Sequence, residues 1–205
     1  MNSSSLILKD DDPRVLRAQN AEQELLSHYK LDAKIRYVPF GDFGYKIRVT
    51  EVGNGEPTVM IPGNTGDAFP LIPLIAHLTG RRIIAINRPG GGMSDGMDHR
   101  NIDFRKFAVQ NVISVLDELK LDKVPIIAHS IGGHISILTA INQPERVSSL
   151  VLLGVPGNLI STRPPIALRA LSIPGLNSLL YKLVLPKGRK NRCKACVLWD
   201  ILWRH

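Results

Sequence analysis

A chain of 205 residues is long enough for one domain with an appendage. Its 44% hydrophobic and 21% charged content is that of an ordinary globular protein, which excludes disordered and fibrous classes. The net charge of +8 invites a nucleic-acid reading, but +5 of it falls in residues 187–205, where six Lys and Arg stand against Asp200. No basic face interleaved with aromatics remains, and nucleic acid is not an expected partner.

"MNSSSLILKDDD" at the start has no basic segment leading into a long apolar one, so no secretory signal is expected and the chain reads as cytoplasmic. The longest uncharged run, 147–162, is broken by Pro156 and Gly157 and is too short to span a bilayer; no transmembrane segment is expected. A first helix is predicted over Pro13–Tyr29, with Asp11, Asp12 and Pro13 as start signals. Two β patterns come next, Lys34–Val38 and Tyr45–Val52, and "PFGDFG" between them makes a hairpin. Further apolar strands are expected at 56–62, 82–87, 123–130 and 146–155. Helices are expected at Ala68–Leu78, Phe104–Leu119 and Ile131–Asn142. Strand and helix alternate from about residue 56 to 155, which predicts an α/β fold: a mostly parallel sheet with helices on both faces.

Ligands of such sheets bind beyond the carboxyl ends of the strands, and three loops there carry unusual residues. In "AHSIGG" (128–133), Ser130 sits between strand and helix among small residues, which suits a nucleophile on a sharp turn. The same serine would also serve as an ordinary helix N-cap. "IPGNTGDAF" (61–69) is a glycine-bearing loop able to turn a backbone N–H toward the serine, or a plain turn. "NRPGGGMSD" (87–95) matches neither phosphate-binding glycine pattern, so no phosphate cradle is expected.

Taken together and in this order, the three loops resemble those of the α/β-hydrolase superfamily, over roughly residues 35–165. That family has a P-G or H-G loop after strand three, R-P-G-x-G-x-S after strand four and G-x-S-x-G after strand five. Here Ala128 stands for the first elbow glycine and Pro62 for the commoner histidine. The resemblance implies acyl hydrolysis. Ser130 would be the nucleophile on an ester, thioester or amide, and the backbone N–H groups of Asn64 and Ile131 would form the oxyanion hole. It implies a small-molecule acyl substrate of apolar character, no cofactor and no metal.

Family members place the acid and then the histidine after the serine. This chain offers only His134, Glu145, Asp200 and His205 there, none in a strand–loop context. His134 falls inside a helix, and His129, by strand alternation, should point away from Ser130. The catalytic acid and base are therefore expected to be absent. The chain reads as a C-terminally truncated hydrolase with four parts. These are an N-terminal helical extension (1–32), the α/β core (33–156), the start of a lid (157–186) and an atypical basic tail (187–205). The tail carries Cys193 and Cys196, a loose C-x-x-C with no second half of a zinc site; it is either a frameshifted end or a genuine one. Two readings stand: a serine hydrolase, or a non-catalytic hydrolase-like remnant or binding module. Substrate identity and oligomeric state are not encoded in these motifs.

Overall fold

The computed structural model describes residues 11–64, 66–97 and 102–155, with Ile173 beyond them. The expected lid and tail lie outside the described residues. Among the described residues four α-helices and six strands run in the predicted order: α1 (Pro13–His28), β1 (Ala33–Pro39), β2 (Lys46–Val52), β3 (Glu56–Ile61), α2 (Ile72–Ile75), β4 (Arg81–Ile86), α3 (Phe104–Glu118), β5 (Val124–His129), α4 (Ile131–Asn142) and β6 (Val147–Leu153). The strands form one sheet of order β1-β2-β4-β3-β5-β6. The hairpin strand β2 pairs antiparallel with both β1 and β4, while β4, β3, β5 and β6 run parallel.

Alternation within the central strands fills both faces. Val59 and Ile61 of β3 and Ile84 and Ile86 of β4 join the larger core, against Phe107, Val112 and Leu116 of α3 and Ile135 of α4. Met60, Ile83 and Ala85 point the other way, into a smaller core closed by Leu71 and Ile75. Side chains of period two buried on both faces give the unbroken apolar strands seen in the sequence.

One expected helix is much shorter than its pattern. Instead of Ala68–Leu78, the chain makes a 3₁₀ turn at Phe69–Leu71 and the single α-turn of α2. Pro73 has no N–H to give to Phe69 and Pro70 has none either, so a continuous helix cannot run through this stretch. Helix α1 is capped by Asp12, whose carboxylate accepts from the Arg14 amide at 2.8 Å. It is held to β2 by a buried ion pair: Arg48 Nη1 and Nη2 donate to Glu22 Oε1 and Oε2 at 2.9 and 2.5 Å, and Nη1 also donates to Thr50 Oγ1 at 3.2 Å. At the far side β6 is a sheet edge, with Val151 and Leu152 49% and 43% exposed. No described helix is long and apolar enough to cross a membrane.

Candidate functional site

Parallel strands β3, β4 and β5 deliver their loops to one edge of the sheet. At the end of β5 the chain must turn straight into α4, and it does so at Ser130 with φ 52° and ψ −123°. This is a left-handed conformation that side chains other than Gly, Asn and Asp seldom adopt. Its N–H donates to Leu153 O at 3.0 Å and its carbonyl accepts from the Gly133 N–H at 2.9 Å, so the turn is braced on both sides. The side chain makes no capping hydrogen bond to the helix it precedes. The N-cap reading of Ser130 therefore fails, and the strained backbone is left without a local structural purpose. Ile131 is the first residue of α4, where amides have no acceptor within the helix.

The turn is possible because α4 starts almost on top of β3. A Cβ on Gly132 would lie 2.5 Å from Pro62 O and 2.6 Å from Ile61 O, so only glycine admits this approach. The same proximity brings the loop after β3 to the elbow. A Cβ on Gly63 would lie 3.2 Å from Ser130 Cβ and 2.8 Å from Nδ1 of His129. Asn64, next in the loop, is exposed.

His129, the last residue of β5, borders Gly63 together with Ser130. His134 is buried within α4, 8% exposed. Glu145 belongs to a 3₁₀ turn ahead of β6, and Val147 pairs with Val124 at the start of β5, which puts Glu145 at the opposite edge of the sheet from Ser130. Asp200 and His205 lie outside the described residues. Among the described residues no hydrogen bond joins the Ser130 hydroxyl to an imidazole.

The loop after β4, which carries the R-P-G-x-G-x-S stretch (88–94), contributes two side chains to which the sequence by itself gave no role. Arg88 Nη2 donates to the carbonyls of Gly63 and Asn64 at 3.0 and 2.9 Å, and its backbone N–H donates to Gly66 O at 2.7 Å. Asn87 Oδ1 accepts from the Ala68 N–H at 2.9 Å. The two loops touch directly, since a Cβ on Gly91 would lie 2.3 Å from Gly66 O. Burial pushes the Arg88 guanidinium below its ordinary pKa, yet an arginine stays charged. A polar side chain at the mouth of a parallel sheet, directly after β4, was the available signal. Arg88 opens the R-P-G-x-G-x-S pattern, but the pattern does not say which groups the arginine holds.

The profile of the alpha/beta hydrolase fold family matches residues 57–201. Over 123 residues the chain is 36% identical to a 2-hydroxy-6-oxononadienedioate/2-hydroxy-6-oxononatrienedioate hydrolase of Cupriavidus pinatubonensis, covering 56% of this chain and 41% of that one. Among solved structures, an esterase from Exiguobacterium antarcticum aligns with TM-score 0.56 and 28% identity over 62% of this chain and 47% of that one. The naproxen esterase (carboxylesterase NP) of Bacillus subtilis aligns with TM-score 0.65 and 23% identity over 84% and 61%, a likeness of fold. This chain thus spans less than half the length of the curated relative from Cupriavidus.

Proposed function

Because the chain belongs to the alpha/beta hydrolase fold family, we propose that it is a serine hydrolase by descent, built to cleave a small acyl compound through Ser130. The observation that carries this reading is the elbow: a non-glycine residue at φ 52°, with an uncapped hydroxyl beside Gly63 at the carboxyl edge of the sheet. Such strain is retained where the surrounding fold over-determines it and function uses it. In the proposed reaction the Ser130 oxygen attacks the substrate carbonyl. The amides of Asn64 and Ile131 donate to the oxyanion, the acyl–heteroatom bond breaks so that the alcohol, thiol or amine leaves with the serine proton, and water then hydrolyses the acyl-enzyme to the free acid and the serine hydroxyl. The apolar character of the acyl group, implied by the family resemblance, is part of the same proposal. The names of the relatives, a dienedioate hydrolase and an esterase, support the hydrolase class.

A serine hydroxyl needs an adjacent base to act at neutral pH, and none is hydrogen-bonded to Ser130 among the described residues. A second reading is a non-catalytic binding module of the same fold. A fluorophosphonate probe and a p-nitrophenyl ester separate the two. Labelling and ester turnover abolished in Ser130→Ala are the expected result for the hydrolase; an unlabelled but folded wild-type chain leaves the binding module.

A further inference from the structure

Gly63 poses a problem for any oxyanion hole built on this loop. A glycine peptide rotates readily, and a half-turn of the Gly63–Asn64 peptide would present a carbonyl oxygen where a donor is needed. Something must hold the plane. The peptide bonds are trans, and a trans peptide carries its C=O and N–H on opposite sides of one plane. Whatever fixes the Gly63 oxygen therefore fixes the Asn64 N–H in the opposite direction. The Gly63 oxygen accepts two hydrogen bonds, from the Gly66 N–H at 3.0 Å and from Arg88 Nη2 at 3.0 Å. The same nitrogen reaches Asn64 O at 2.9 Å, pinning the next peptide as well. Arg88 is held in turn by its own backbone bond to Gly66, and its Nε is buried with no hydrogen-bond partner. An unpaired buried donor is costly, so the guanidinium is kept here for what its terminal nitrogen does.

We propose that Arg88 is a positioning residue: by holding the Gly63 and Asn64 carbonyls it locks the loop after β3 with the Asn64 N–H aimed at the Ser130 hydroxyl. Its relevance to catalysis rests on reading Ser130 as the nucleophile, but the geometric claim stands by itself. A guanidinium suits the task better than an ammonium because its planar, rigid donors sit in fixed directions.

The test compares the full-length wild type with Arg88→Met and Arg88→Lys by two readouts. The first is the nuclear Overhauser effect between the Asn64 amide proton and the Ser130 β-protons, expected in the wild type, weakened in Arg88→Lys and lost in Arg88→Met. The second is the rate of Ser130 phosphonylation by a fluorophosphonate. Here the serine O–P bond forms, the P–F bond breaks, fluoride leaves, and the hydroxyl proton passes to solvent. Misplacing one oxyanion donor should slow this step about 10²-fold in Arg88→Met, with Arg88→Lys intermediate. A folded Arg88→Met that keeps the wild-type Overhauser effect and rate overturns the proposal, as does a wild type lacking that effect. If Arg88→Met does not melt cooperatively, Arg88→Lys carries the test, and wild-type behaviour in both readouts overturns it. An Arg88-dependent Overhauser effect in a chain that no probe labels upholds the positioning role and defeats the nucleophile instead.

Discussion

The two ends of β2 and β5 treat polar groups in opposite ways. Where α1 lies on β2, Arg48 and Glu22 are buried and bonded to each other in bidentate fashion. Next to them Glu51 accepts from both Arg36 and Arg82, so each buried charge has its opposite. At the carboxyl end of β5 the hydroxyl of Ser130 rides on a strained backbone with no capping bond. The first region is arranged for stability, since an unpaired buried charge would unfold it. The second keeps backbone strain that stability alone would remove. Paired charges and backbone strain are thus separated along the sheet.

Breaking the first region should have the largest effect. Glu22→Ala strands the buried Arg48 guanidinium and is expected to lower unfolding free energy by about 3–5 kcal/mol in urea denaturation, without changing which residue a serine-directed probe modifies. Gly132→Ala attacks the second region at its root. Its methyl would collide with the Ile61 and Pro62 carbonyls, at a cost of roughly 2–3 kcal/mol, and the displaced loop should reduce Ser130 labelling more steeply than the melting point.

Glu51→Gln gives a smaller effect with a pH signature. Burial by itself would raise the Glu51 carboxyl, but hydrogen bonds and charge from Arg82 and Arg36 outweigh it and hold the group below its ordinary 4.5. A carboxyl depressed in the folded state adds stability that is fully present above the ordinary value and is lost as pH falls through the folded one. Glu51→Gln should therefore be less stable at pH 7, by about 1–2 kcal/mol for a charge-assisted bond, and show a flatter loss of stability below pH 4.5. Equal acid slopes for mutant and wild type would remove Glu51 from the account.

The smallest effect has the opposite sign and sharpens the contrast most. Glycine adopts the φ of 52° freely, so Ser130→Gly should stabilise the fold by about 1 kcal/mol after the gain in unfolded-chain entropy is set against relief of strain. Ser130→Ala keeps the strain and should not. A chemical melt of the pair decides it; equal stability would mean that the turn is not strained.

Much of this was legible beforehand for a simple reason. The parallel strands at the centre of the sheet carry unbroken apolar runs such as Val59–Ile61 and Ile83–Ile86, and the helices between them carry a period of their own, so element order and the α/β class came from pattern. The helix Ile131–Asn142 has the bounds its pattern predicted. The stretch 68–78 misled because its apolar spacing was helical while Pro70 and Pro73 withheld the donors. Ser130 drew notice because small residues around a serine are a local signature. Arg88 was visible as the first residue of R-P-G-x-G-x-S, but its role was not, because that role lies in two carbonyls 24 and 25 positions earlier in the chain.

By itself, then, the sequence determined the succession of elements, the covered sheet and the serine at the end of β5, since all of these depend on residues close together along the chain. Tertiary structure decided the rest. It set the backbone angles of Ser130, the approach of Gly132 to β3, the place of Glu145 at the wrong edge and the hold of Arg88 on the neighbouring loop. Each of these is a distance between segments remote in sequence, fixed only when parallel strands bring their ends to one edge.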